Sequence, residues 1–155
     1  MASVSEVRNA LAAQLQSQTG LTVRPRMPDQ VNPPMAAILP GLPYARYGIT
    51  MGDSLAALAH AVPAPVELNF VIAVFVSRAP SIERAQEQVD QYLGLEPSDT
   101  VVSIPLALNH DPTLGGLVEW CEALQVQAYG DVEVAGQMYF QGRVTVNVSV
   151  TQDLA

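Results

Sequence analysis

Three side chains of the types that perform covalent or acid–base chemistry stand close together in this sequence: His110, Asp111 and Cys121. A histidine held by a carboxylate can act as a base near neutral pH, and a cysteine becomes a nucleophile once it is a thiolate. The spacing argues against both. Neighbours in sequence rarely face each other, and Asp111-Pro112-Thr113 has the composition of a turn, in which the aspartate serves the backbone. Glu119 and Glu122 flank Cys121 and favour its neutral thiol, so the residue reads as a small, partly buried strand position. Two histidines fifty residues apart and one cysteine do not make a set of metal ligands. The glycines of Gly48-Ile49-Thr50-Met51-Gly52 and Gly115-Gly116 lack the lysine of a phosphate loop. Trp120 reads as core rather than as a ligand platform. The sequence therefore predicts no catalytic residue, no metal, no cofactor and no enzymatic activity.

Composition points in the same direction. The 155 residues suit a single domain, large enough to bury roughly 70% of its unfolded surface. Only 14% are charged, the net charge is −8, and all seven cations are arginine. With fifteen acids and no basic cluster, the chain is poorly suited to gripping nucleic acid, which requires neutralising phosphates. A surface of Gln, Asn, Ser and Thr carries little charge to desolvate and suits packing against other protein. The lone cysteine has no partner within the chain, and a reducing compartment is expected. No leader peptide and no apolar run of the ~20 residues that a membrane helix needs can be read in the sequence.

The elements expected to carry these residues form an α+β domain: a mostly antiparallel sheet with a long C-terminal β-hairpin and two to three helices packed on it. Ser3-Val4-Ser5-Glu6 has capping-box spacing; Val4, Val7, Leu11 and Leu15 share a stripe, and Gly20 stops a helix over 4–18. A short strand follows at 21–24. Eight of the twelve prolines then fall within 25–65, which reads as a loop or arm. Within it, brief strands at 35–39 and 44–50 and a short helix after Asp53 are possible. Residues 66–76 start as an alternating strand and end apolar on both parities, so that strand is expected to be central. Ser81 opens a helix whose face is Ile82, Ala85, Val89, Tyr92 and Leu93 and which Gly94 ends. Ser103-Ile104-Pro105 opens another, to about Asn109. At the C-terminal end, Val118, Trp120, Leu124, Val126 and Ala128 share one parity, broken by Glu122. A short strand over 132–134 is expected next, and then a last strand. That strand sets Met138, Phe140, Gly142, Val144, Val146, Val148 and Val150 towards the core and Tyr139, Gln141, Arg143, Thr145, Asn147 and Ser149 towards water. Such a strand would run roughly 43 Å, so it must bend at Gly142 or project past its sheet.

The order of parts resembles the tail terminator proteins of long-tailed, siphovirus-type phages, particularly those of actinobacteria. The strings that carry the likeness are Pro28-Asp29-Gln30-Val31-Asn32-Pro33-Pro34, Asp111-Pro112-Thr113-Leu114-Gly115-Gly116 and Gly136-Gln137-Met138-Tyr139-Phe140-Gln141-Gly142, set among the capped first helix, the apolar strand and the helix after Ser81. The resemblance spans nearly the whole chain and is weakest over 40–65. It implies a structural virion protein that forms a homo-oligomeric ring, a hexamer, on the last ring of the tail tube protein. There it stops tail elongation and presents the joint to the head-tail connector protein. It also implies a place at the head-proximal end of the tail, assembly in the host cytoplasm, DNA met only in transit through the lumen, and no membrane partner. The candidate interface residues are Pro28, Asp29, Gln30, Val31, Asn32, Pro33 and Pro34 on one arm and Tyr139, Gln141 and Arg143 on the other. A connector or neck component and a tail tube subunit are the nearest alternatives; a small enzyme using His110, Asp111 or Cys121 is a remote one.

Overall fold

A computed structural model describes residues 3–47 and 64–152. These form three helices, α1 (Val4–Thr19), α2 (Ile82–Leu93) and α3 (Ile104–His110), and five strands, β1 (Thr22–Arg24), β2 (Met35–Tyr47), β3 (Ala64–Val76), β4 (Trp120–Val134) and β5 (Gln137–Gln152). The strands make one sheet in the order β1-β2-β3-β5-β4, antiparallel except for the β1–β2 pair. The architecture is α+β, as the sequence predicts.

Local chemistry sets the helix ends. Ser3 Oγ accepts from Glu6 N at 3.1 Å and Glu6 Oε2 accepts from Ser3 N at 3.3 Å, which closes the capping box of α1. Ser81 and Ser103 cap α2 and α3 by accepting from Arg84 N and Leu106 N, without the return bond, and Gly94 ends α2 in the left-handed conformation. The sixteen-residue β5 does not hang free. Residues 140–152 pair with β3 and residues 137–149 with β4, so only its first three residues run beyond β3. On the helix-covered face, Phe140, Val144, Val146 and Val148 meet Phe70, Ile72 and Val74 of β3, with α1, α2 and α3 above them. Gly142 allows the closest approach. A Cβ there would meet Val89 Cγ1 and Leu93 Cδ1 of α2 at 2.5 Å each.

Three expectations change. The strand anticipated at 35–39 and the described part of that at 44–50, up to Tyr47, belong to a single β2, whose register shifts between Pro40 and Ala45; the shift absorbs the prolines that suggested a break. Likewise no separate strand exists at 132–134, because β4 runs through Gly130, which as a glycine takes a φ of 150° and still pairs with Gln141. The hairpin turns at Ala135-Gly136, both at positive φ, as a two-residue turn between right-twisted strands needs. Ile82 stands at the start of α2, 44% exposed, rather than on its buried face. The helix expected after Asp53 lies outside the described residues.

Candidate assembly surface

Of the three residues singled out for chemistry, His110 is exposed at the end of α3, and Asp111 and Cys121 are occupied with the fold. Asp111 accepts from Thr113 N at 3.1 Å, Thr113 Oγ1 at 2.7 Å and Gly115 N at 2.7 Å. These bonds, the one from the Thr113 hydroxyl first, hold its carboxyl below the ordinary aspartate range. It is the turn aspartate the sequence predicts, and it lets Leu114, Gly115 and Gly116 take positive φ before β4. Cys121 is fully buried on the helix side of β4. Burial, then the charges of Asp111 and Glu122, pushes its thiol up to about 11, so it stays protonated near neutrality. Among the described residues no group of three or more His, Cys, Asp or Glu side chains could hold a metal ion.

The two candidate arms come together. Val31 is buried, and its carbonyl accepts from Tyr139 Oη at 3.2 Å across 108 residues of sequence. The Asn32 amide donates to Met35 Sδ at 3.4 Å, which ties the proline-framed segment to the start of β2. Val31, Met35, Ala37, Ala73, Phe75 and Tyr139 form a second, smaller core on the face of the sheet opposite the helices. This corrects the placement of Tyr139 and Gln141 in water. Both are only 9% exposed, because β5 is an inner strand and residues 25–34 cover this end of its second face. Gln141 Oε1 accepts from Arg143 Nε at 3.3 Å, and Arg143 is half-buried. Where the segment meets the hairpin turn, a cleft of about 290 Å³ is lined by Gln30, Val31, Asn32, Val134, Gln137 and Tyr139 among others. Asp29, Gln30, Asn32 and Pro34 remain exposed, with Pro28 and Pro33 half-buried.

A second surface follows β4 and was not legible as such. The parity read from the sequence puts Trp120 and Leu124 in the core, yet they are 51% and 56% exposed while Cys121 is fully buried. The register shifts between Ala123 and Gln125 and again between Val126 and Ala128, so Cys121, Ala123 and Val126 face the core although they do not share one parity. Glu122, the one interruption in the apparent apolar parity, was the available signal. Next to the first shift, Leu124 joins Leu95, Pro105, Ala123 and Val126 around an apolar groove of about 250 Å³. Leu95 and Leu106, both more than half exposed, line a second groove of about 410 Å³ beside it. Isolated exposed apolar residues are ordinary; several around adjoining grooves next to a sheet edge make a candidate contact surface.

No protein-family model and no curated protein matches this chain.

Proposed function

We propose that this chain is a structural assembly protein of the tail terminator type, forming a ring on the tail tube, limiting its length and offering a joint to the head connector. The observation that carries the reading is β4: fifteen residues long, at the open edge of the sheet and bordered by exposed Trp120, Leu95, Leu106 and Leu124. A self-contained domain has reason to keep such an edge short or covered. The motif order described above gives the surface its context, and the engagement of Asp111 and Cys121 in the fold leaves them poorly placed for catalysis. Two ring contacts of about 800 Å² each suit a chain of this size.

The experiment is electron microscopy of the particles formed when the encoding gene is disrupted. Overlong, headless tails beside filled heads are the expected result. Tails of normal length that fail to attach would make the chain a connector component instead, and normal infectious particles would overturn an assembly role.

A further inference from the structure

The strand order separates the charge of this chain into two opposite edges. Residues 85–142 contain nine of the fifteen acids and none of the seven arginines, and they include the β4 edge. Residues 1–28 contain Arg8, Arg24 and Arg26 against the single acid Glu6, and they build the β1 edge. Glu119 just before β4 and Glu122 and Glu133 along it are exposed, while Asp131 of the same edge is paired with Arg78 at 3.1 Å; Arg24 and Arg26 are exposed at β1. The register sharpens this. Arg24 pairs with Ala37 on the face away from the helices, and Trp120 and Glu122 pair with Ser149 and Asn147 on that same face. The basic and the acidic edge thus offer these side chains on one face of the sheet.

We infer that the two edges are complementary halves of one interface, so that the β4 edge of one copy receives the β1 edge of the next, Arg24 and Arg26 opposite Glu119 and Glu122. This rests on the ring reading above and says how the ring closes. Opposite edges meeting head to tail are a heterologous contact, which closes into a ring when the rotation between copies allows. The contact is made by side chains and not by strand addition, because the Val23 amide at the β1 edge already donates to Gln16 Oε1 at 3.1 Å. The apolar content matches as well: Met27, 40% exposed, adjoins the arginines, and Trp120 and Leu124 adjoin the glutamates. Tryptophan with arginine is a pairing that interfaces favour, through burial and through cation–π contact.

Two charge-reversed chains test the inference: Arg24→Glu with Arg26→Glu, and Glu119→Arg with Glu122→Arg. All four positions are exposed, and circular dichroism checks that each variant keeps its fold. Sedimentation is measured at low ionic strength for wild type, each variant and their equimolar mixture. Wild type is expected to self-associate and to weaken as salt is raised. Each variant alone should associate at least about tenfold more weakly, since like charges then face each other, and the mixture should recover because every contact is again between opposite charges. A wild type that stays monomeric, an assembly that survives either reversal, or a mixture that does not recover would overturn the edge pairing. Those results would leave the terminator reading to the tail-length experiment, which does not depend on how the copies touch.

Discussion

β4 and β5 are the two arms of one hairpin, fifteen and sixteen residues long, yet the fold uses them in opposite ways. β5 lies between two strands and keeps one register against β3, and its side chains Phe140, Val144, Val146, Val148 and Val150 fill the main core. β4 has one neighbour, shifts register twice and leaves Trp120 and Leu124 outside. Length and apolar content alone therefore do not tell a core strand from an edge strand. What separates them is whether both edges are paired, because an inner strand cannot shift its register without disturbing two ladders.

Substitutions on β5 should act on stability, and the largest effect is expected where the hairpin meets the core. Phe140 is 3% exposed, with its ring edge-to-face with Tyr129 at 5.0 Å. Phe140→Ala should cost about 3–5 kcal/mol, read from urea unfolding; a loss below ~1 kcal/mol would mean that this end of the sheet is not packed as described. Gly142→Ala places a methyl against Val89 and Leu93, and a cost of about 1–3 kcal/mol is expected if α2 cannot retreat. An unchanged midpoint would show that the helix sits further from β5. Tyr139→Phe removes the bond to the Val31 carbonyl and should cost about 1 kcal/mol while speeding amide exchange in residues 25–34. Slow exchange in the variant would detach the proline-framed segment from the hairpin.

Cys121 compares the strands at a single atom, since it is the inward residue of β4 beside two outward ones. Alkylation by iodoacetamide at pH 8 should be slow in the folded protein and complete on unfolding. The thiol rises in the folded state from 9.0 to about 11, so the protonated form is the one the fold prefers. The sign follows from linkage: this contribution is fully present below pH 9 and is lost as pH rises towards 11. Rapid alkylation of the folded chain at pH 8 would place the sulfur at the surface.

Elements defined by local chemistry were legible in the sequence. Ser3 with Glu6, Ser81 with Gly94, and Ser103 before Ile104-Pro105 mark helix ends through bonds made within a few residues, and the apolar run ending at Val76 gave the central strand. Features decided by distant partners were not. Pro40 and Gly130 look like breaks in isolation, but pairing with β3 and β5 carries β2 and β4 through them. Tyr139 reads as a water-facing residue until Val31, 108 residues away, covers it. The candidate arms were found by type and spacing, whereas the exposure of Trp120 and Leu124 follows from the pairing of β4 with β5, for which Glu122 was the one local signal.

The most direct test of the account is to carry Trp120→Asp with Leu124→Asp on the encoding genome and measure tail lengths by electron microscopy. Both residues are about half exposed and lie outside the main core, so the purified variant should unfold within about 1 kcal/mol of wild type. If β4 is the surface through which this protein assembles, the particles should be headless tails of uncontrolled length. Infectious particles with tails of normal length, made with a folded variant, would contradict the claim that β4 is a working interface.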